Sequence, residues 1–480
     1  MSTPAQAYCD AASARCVERS APALHPRLVL VTSVLASSLA FVDGSVVNVA
    51  LPAIGSSLSA RADELQWTVN AYLLPLSAVL LLGGAAGDRF GRRRLLVWGT
   101  TLFALASLGC ALAPRLGPLL AARFLQGIGG AMLMPNSLAI LGQTFTREQK
   151  GRAVGIWAAA SGIAGALGPV LGGWLIELSS WRAIFLINLP IAGAAVVMAL
   201  RYVPKDRDRQ AAALDVWGAV LVTAGLGALT WALTLAGGPS GLTRVAGLLG
   251  LGAIVLLLAF ILIEMRRGDR ALAPMILFTT RTLVGLNLLT LLLYGALSAL
   301  LVLVPYVLIE ALHYSAAQAG AALLPLPFVM VLISPFAGSL AERIGARLPI
   351  AIGSGMVGVG LLLTLRMGPA GSYWSGLLPA ITVVALGLSA AVAPLTAAVL
   401  SGVGARYTGV ASGLNTAIAR TGGLLATALV GFVFASHAQG LLRSFHATME
   451  IGCAICWGAA LCALLLVQRT SHQAEGALRR

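Results

Sequence analysis

The sequence predicts an all-α, polytopic membrane protein made of two related six-helix bundles, with two further helices inserted between them. Three observations lead to this fold class. The 480 residues are 58% hydrophobic and only 10% charged, whereas a soluble domain carries about 25% charged residues. Apolar stretches long enough to cross about 30 Å of hydrocarbon recur along the chain. A glycine-and-charge motif occurs twice, each time between two apolar stretches.

Fourteen apolar stretches are long enough to cross a membrane as helices. Because this number is even, the two ends of the chain lie on the same side of the membrane, and we expect residues 1–26 and 469–480 to form tails there. The predicted spans, numbered 1 to 14 in chain order, are 28–53, 65–86, 94–113, 117–141, 153–176, 183–203, 214–236, 244–265, 283–309, 316–340, 347–366, 374–400, 409–435 and 450–468.

The duplicated motif runs from Gly84 to Arg93 after span 2 and, in a weaker copy, from Gly338 to Arg347 after span 10. Many transporters are built from internal repeats of this kind. Two adjoining six-span halves would place the copies six spans apart, but they lie eight spans apart. Two inserted spans explain the difference. We therefore expect three segments, which are an N-terminal bundle over 27–203, inserted spans with their loops over 204–281, and a C-terminal bundle over 282–468.

The net charge of +15 is distributed unevenly across the predicted membrane. About three quarters of the Lys and Arg residues lie on one side, and the positive-inside rule places that side in the cytoplasm. The charge therefore orients the chain and does not indicate a nucleic-acid partner. Residues 1–26 lack the pattern of a secretory signal peptide. We expect a multi-pass protein of the inner (cytoplasmic) membrane with both termini in the cytoplasm.

Metal, redox and ATP-driven chemistry are all disfavoured by the sequence. The six cysteines form no framework, and His313, His437 and His446 lack the spacing of metal ligands. Cys453 and Cys456 have the spacing of a redox pair, but an apolar span lacks the polar surroundings that a reactive thiolate needs. No glycine-rich phosphate loop with a lysine is present. We expect no metal, no cofactor and no enzymatic activity.

Charged residues inside the spans are the first candidates for function, since each costs at least about 2.5–3.5 kcal/mol at a helix centre. They are Asp43 in span 1, Arg123 in span 4 and Arg420 in span 13. Asp43 and Arg123 fall at similar depth and can pair if their helices are neighbours. A structural ion pair or a snorkelling arginine is the alternative. A buried carboxylate beside a movable cation suits proton coupling, because its surroundings decide whether it holds a proton.

Several motifs, taken in order, resemble the 14-span drug:proton antiporter branch of the major facilitator superfamily. The chain matches this branch at its first-helix motif, in the loop between spans 2 and 3, and in the span 4 and span 5 motifs. It also matches the branch at the starts of spans 6 and 7 and in part of span 13. These stretches are 43–52, 84–93, 123–129, 165–173, 181–190, 214–218 and 413–423.

The resemblance implies roles for individual residues. It assigns proton coupling to Asp43 and Arg123. It implies a conformational latch in the duplicated loop, formed by Gly84, Asp88, Arg89, Gly91, Arg92 and Arg93, with Glu342 and Arg343 in the second copy. The span 5 motif typical of antiporters comprises Gly155, Gly168, Pro169, Gly172 and Gly173. We also expect polar side chains inside the spans to line a substrate cavity, namely Asn48, Gln126, Asn136, Asn415 and Arg420.

The predicted function is a proton-coupled antiporter that exports hydrophobic drugs or toxic compounds by alternating access. Two departures from the family pattern bear on this. Ala164 stands where the span 5 motif often has glycine, and spans 10 and 13 lack the acidic residues that some relatives use for cationic dyes. The second departure disfavours a dication substrate. Export of one endogenous metabolite, or uptake by symport, stays open as an alternative. We expect a monomer in the lipid bilayer, and a periplasmic adaptor is left open.

Overall fold

The computed structural model describes residues 25–145, 147–205, 215–236, 243–267, 280–368, 372–401, 408–430, 433 and 438–467. All regular elements within these ranges are helices. Most of the two predicted tails, and the loop residues 206–214 and 268–279, lie outside the described residues.

The first six predicted spans correspond to helices that extend beyond the predicted bounds in several places. Span 6 consists of a short helix and a longer one in series. The helices of spans 1 to 6 are Pro26–Leu58, Ala62–Phe90, Arg92–Leu112, Leu116–Thr144, Arg147–Leu178, and Ala183–Leu186 with Asn188–Tyr202.

The remaining eight spans are also helical. Span 10 is divided into two helices, and span 11 ends in a 3₁₀ turn over Thr364–Arg366. The helices of spans 7 to 14 are Val216–Ala236, Arg244–Arg267, Arg281–Glu310, Ala316–Ala321 with Pro325–Ile344, Arg347–Leu363, Leu377–Ser401, Thr408–Leu429 and Ala438–Leu466.

Thirteen of these helices are long and apolar enough to cross a membrane by length and composition. The remaining one is span 13, whose helix Thr408–Leu429 has 22 residues. At about 1.5 Å per residue it is long enough to cross the hydrocarbon layer, but Asn415 and Arg420 interrupt its apolar stretch. It packs against spans 2 and 9. The all-α, polytopic fold is therefore confirmed.

The two copies of the duplicated loop have the same geometry. Gly91 and Gly345 occupy equivalent positions and both have positive φ, 100° and 85°, a region that glycine enters without a steric penalty. Two residues later, Arg93 donates a hydrogen bond to the carbonyl oxygen of Leu200 at the end of span 6. Arg347 donates in the same way to the carbonyl of Leu464 at the end of span 14. These matching contacts support two related bundles separated by spans 7 and 8.

Spans 7 and 8 pack against each other, and span 7 also packs against spans 2 and 13. The rings of Trp67 and Trp231 meet edge-on with centroids 6.0 Å apart, which joins span 2 to span 7. Arg267 and Asp215 form an ion pair at 2.5 Å between the two inserted spans. Span 8 exposes a series of large apolar side chains. They include Leu248, Leu251, Ile254, Leu258 and Leu262, as expected for a surface that faces lipid.

The helix ends define two ends of the molecule. We call the end that carries Arg89 to Arg94 the basic end, and the other the opposite end. At the opposite end the two bundles touch through spans 5 and 10. A carboxylate oxygen of Glu177 accepts a hydrogen bond from the backbone N–H of Ala317 at 3.0 Å. Gly320 lies so close to span 5 that a Cβ atom on it would be 2.2 Å from the carbonyl oxygen of Pro169.

Candidate functional site

Two glycines position the central part of span 4. A Cβ atom on Gly127 would lie 2.4 Å from the carbonyl oxygen of Tyr72 in span 2, and one on Gly129 would lie 2.8 Å from the amide nitrogen of Phe103 in span 3. Only glycine allows helix backbones to approach this closely. The close packing brings Arg123, one turn before Gly127, into the interior of the N-terminal bundle.

The structure brings Asp43 and Arg123 together inside this bundle. Their side chains are 0% and 1% exposed, and Nη1 of Arg123 donates a hydrogen bond to Oδ2 of Asp43. The other carboxylate oxygen, Oδ1, accepts from Nε2 of Gln126 at 2.8 Å and from Nδ2 of Asn188 at 3.2 Å. Spans 1, 4 and 6 thus all contribute to one buried carboxylate site.

The guanidinium of Arg123 is surrounded by further acceptors. Its Nε donates to the carbonyl oxygen of Thr68 at 3.0 Å, and Nη1 also donates to Oε1 of Gln126 at 2.8 Å. The group lies 4.4 Å from the ring centroid of Tyr72 and 5.8 Å from that of Phe185, distances at which cation–π attraction operates. A buried ion pair is stable when extra contacts of this kind satisfy both partners.

Ser107 of span 3 completes the network. Its hydroxyl oxygen accepts from Nε2 of Gln126 at 2.8 Å and from Nδ2 of Asn188 at 3.2 Å. Ser107 was not singled out from the sequence, and Asn188 was noted only as part of a motif. Both are polar residues within a predicted span, which is the signal that identifies them.

Gln126 and Asn136, both expected in a substrate cavity, are buried and hydrogen-bonded between helices. Gln126 belongs to the network around Asp43. Asn136 is buried between spans 2 and 4, where its Nδ2 donates to the carbonyl oxygens of Gly83 at 3.0 Å and Met132 at 2.7 Å. These contacts favour helix packing over cavity lining for Asn136.

The other three expected cavity residues lie in spans 1 and 13. Asn48 is buried in span 1, and its Oδ1 has no hydrogen-bond partner among the described residues. Asn415 donates through Nδ2 to Oγ1 of Thr290 in span 9 at 2.7 Å. Arg420 is half-buried, and its guanidinium lies 5.4 Å from the ring centroid of Phe41. Of these three residues, Arg420 is the one that contacts the other bundle, through the ring of Phe41.

The latch residues of the first loop interact within the N-terminal bundle. Oδ1 of Asp88 accepts from Nε and Nη2 of Arg92 at 2.8 and 2.6 Å, and the guanidinium of Arg89 lies 5.8 Å from the ring of Phe90. Residues 402–407, which precede span 13, and the side chain of Glu342 lie outside the described part of the chain. A latch between the bundles therefore stays a prediction.

The glycines of the span 5 motif face two different neighbours. Gly168 and Gly172 pack on span 1. A Cβ atom on Gly168 would lie 2.0 Å from Oγ of Ser45, and one on Gly172 would lie 2.5 Å from Cγ2 of Val46. Gly173 packs on span 10, where a Cβ atom would lie 2.3 Å from the carbonyl oxygen of Ala316. Gly155 has open space within 4 Å. Three of these glycines thus lie in helix contacts, and one of those contacts joins the two bundles.

The described residues provide little for a metal or redox centre. Within the described ranges, no three His, Cys, Asp or Glu side chains converge as a metal site requires. Cys453 and Cys456 are free thiols buried in span 14, and Cys110 lies 3.7 Å from Oε1 of Gln126.

Comparison with known proteins gives three kinds of match. Residues 33–427 and 286–478 match the Major Facilitator Superfamily. The chain is 32% identical over 424 residues to multidrug resistance protein Stp of Mycobacterium tuberculosis, covering 87% of this chain and 77% of that protein. It is 28% identical over 454 residues to riboflavin transporter RibZ of Clostridioides difficile, covering 92% and 98%. The solved D-xylose–proton symporter is similar in fold, with a TM-score of 0.67 and 17% identity, over 92% of this chain and 98% of that one.

Proposed function

The chain belongs to the Major Facilitator Superfamily, and we propose that it is a proton-coupled antiporter that exports hydrophobic drugs or toxic compounds by alternating access. The observation that carries this proposal is the buried pair of Asp43 and Arg123, with its shell of amide and hydroxyl groups. The multi-pass membrane architecture and the resemblance to a multidrug resistance protein also support it.

The proton step involves the carboxylate of Asp43. A proton that binds to this carboxylate removes its negative charge and, with it, the electrostatic attraction to Arg123. Arg123 keeps its hydrogen bonds to the carbonyl of Thr68 and to Gln126, so its charge stays solvated by the protein. Loss of the proton restores the ion pair. One proton is thus bound and released in each cycle, with no covalent change in the protein.

Coupling follows from the number of helices that meet at Asp43. Its carboxylate accepts from residues of spans 4 and 6, and Ser107 ties the same amides to span 3. A change in the charge of Asp43 therefore alters contacts among four helices at once. Alternating access requires the contact between spans 5 and 10 at the opposite end to open. The protonation state of Asp43 then shifts the equilibrium between the state in which this end is closed and the state in which it is open.

The charge distribution sets the orientation of the protein in the membrane, and the membrane potential supplies a driving force for export. We place the basic end in the cytoplasm, because basic loops are retained on that side, and we place both termini there as well. The membrane is then the cytoplasmic membrane. A membrane potential of 100 mV provides about 2.3 kcal/mol for each proton that moves inward, which is available to drive export of a substrate.

The proposal is tested with Asp43→Asn, which keeps the size of the side chain and removes its charge. An efflux-deficient bacterium expressing the wild-type chain is expected to show raised resistance to several hydrophobic drugs. With Asp43→Asn, resistance should fall to the level of cells without the protein, and inverted membrane vesicles should lose substrate-induced proton movement. Glu450→Gln, at an exposed acidic residue of span 14, is the matched control and should behave as wild type. Unchanged efflux by Asp43→Asn would rule out Asp43 as the coupling site.

A second candidate is transport of a single metabolite, in either direction. It is motivated by the similarity to a protein named as a riboflavin transporter and by the symporter fold match. A counterflow assay in inverted vesicles separates the two candidates. A broad set of competing drugs indicates multidrug export, whereas competition by one compound alone indicates a dedicated transporter. Proton movement in the same direction as the substrate would indicate symport.

A further inference from the structure

Arg420 lies on the face of span 13 that packs against the N-terminal bundle. On the same face, a Cβ atom on Gly413 would lie 2.8 Å from the side chain of Leu81 in span 2. Oγ1 of Thr427 donates a hydrogen bond to Oδ1 of Asn70, also in span 2. Residues three, four or seven apart share a face of a helix. Arg420 therefore lies where the two bundles meet.

An aromatic side chain of the N-terminal bundle lies against this guanidinium. The guanidinium is 5.4 Å from the ring centroid of Phe41 in span 1, a distance at which cation–π attraction operates. Arg420 is half-buried, so part of the residue is exposed.

Arg420 has no counter-charge in the part of the chain that the structure describes. Asp43 is the only acidic side chain well inside a span, and its carboxylate is already paired with Arg123. The described ion pairs do not include Arg420. The membrane interior of this protein therefore carries one more positive than negative charge while Asp43 is ionised. Charges in such positions mark substrate or ion pathways in membrane proteins.

We propose that Arg420 binds the negatively charged group of an aromatic organic acid, a carboxylate or a phenolate, which is the substrate. The planar guanidinium fork fits such a group with two parallel hydrogen bonds. The ring of Phe41 provides an aromatic surface for the rest of the molecule. This inference rests on the proposed function, because it assigns the exported substrate a chemical class, and it makes a cationic drug the disfavoured substrate.

The proposed substrate site and the proton site both involve span 1. Phe41, the ring next to Arg420, precedes Asp43 by two residues in the same helix. A bound organic anion next to Arg420 therefore alters the electrostatic potential at the Asp43–Arg123 pair. The binding of the substrate and of the proton are thus coupled through span 1.

Two dyes with the same xanthene ring system but opposite charge test the proposal. Fluorescein carries a carboxylate and a phenolate near neutral pH, and rhodamine 123 is a cation with an esterified carboxyl group. Binding of each dye to the purified full-length protein is measured by fluorescence anisotropy in phosphatidylcholine nanodiscs, which contain no anionic lipid. The wild-type protein should bind fluorescein more tightly than rhodamine 123. Arg420→Gln should weaken fluorescein binding by about tenfold or more, as expected for loss of a charge-assisted hydrogen bond.

Matched variants make the result specific to Arg420. Arg443→Gln, at an exposed arginine of span 14, should leave fluorescein affinity unchanged, and Arg420→Lys should retain part of it. The proposal is overturned if rhodamine 123 binds as tightly as fluorescein to the wild type, if fluorescein does not bind, or if Arg420→Gln binds fluorescein normally. If Arg420→Gln does not fold, the proposal is tested by the fluorescein affinity of Arg420→Lys and by the comparison of the two dyes on the wild-type protein. Equilibrium binding needs no proton gradient, so these outcomes are independent of the Asp43→Asn efflux test.

Discussion

Gly173 of span 5 lies against the backbone of Ala316 in span 10, so that a Cβ atom on Gly173 would be 2.3 Å from the carbonyl oxygen of Ala316. Gly320 of span 10 has the reciprocal relationship to Pro169 of span 5 at 2.2 Å. One glycine from each bundle therefore sets how closely the bundles approach at the opposite end. Any larger side chain at either position would separate them.

Gly173→Val should hold the opposite end open, because its side chain cannot fit against Ala316. Spin labels on the exposed ends of spans 5 and 10 should give a longer distance by pulsed electron paramagnetic resonance than in the wild type, and efflux should fall. Gly162→Val is the matched control in the same helix, since no atom lies within 4 Å of a Cβ added at Gly162 and Gly162 is outside the motif. A wild-type distance in Gly173→Val would show that this contact does not limit closure.

Arg123→Leu should destabilise the protein strongly. It leaves the carboxylate of Asp43 buried without its cation, and removal of one partner of a buried ion pair costs about 3–5 kcal/mol. The double variant Asp43→Asn with Arg123→Leu should recover part of this loss, because neither charge remains. Thermal unfolding of the purified proteins, followed by tryptophan fluorescence, measures the difference. Equal melting temperatures for the single and the double variant would show that the ion pair does not contribute in this way.

Ser107→Ala should lower both stability and efflux. Its hydroxyl is the shared acceptor for the amides of Gln126 and Asn188, and a buried donor left unsatisfied costs about 1–3 kcal/mol. Ser56→Ala is the control, because the exposed hydroxyl of Ser56 contacts only the carbonyl of Ala53 among the described hydrogen bonds. In a double-mutant cycle, Ser107→Ala and Asn188→Ala should be non-additive, since the two residues share a hydrogen bond. Simple additivity would argue against a connected network.

A membrane potential without a pH gradient should be sufficient to drive the exchange of an organic anion for a proton. One fluorescein dianion moving outward and one proton moving inward transfer three charges in the same electrical direction, and each is worth about 2.3 kcal/mol per 100 mV. In inverted vesicles without a pH gradient, a lumen-positive potassium diffusion potential should accelerate uptake of fluorescein. Arg420→Gln vesicles should show no such acceleration. Uptake that is insensitive to the potential in the wild type would indicate electroneutral exchange.

Much of the architecture could be predicted from local patterns in the sequence. Span positions followed from the length of each apolar stretch, and the duplicated loop around Gly91 and Gly345 indicated two related halves. The intramembrane charges of Asp43 and Arg123 identified the centre of the site. Span 13 was the exception, because Asn415 and Arg420 interrupt its apolar stretch and it is not among the thirteen helices that meet the length and composition of a membrane span.

The direction in which each polar side chain points could not be predicted in the same way. Asn136 was expected in a cavity but packs between spans 2 and 4, whereas Ser107 and Asn188 join the carboxylate site. Hydropathy is a property of a single stretch of chain, so it specifies which segments enter the membrane. The face that a helix presents depends on where distant backbones approach one another, as Gly127 and Tyr72 do, and that is decided only when all the helices pack together.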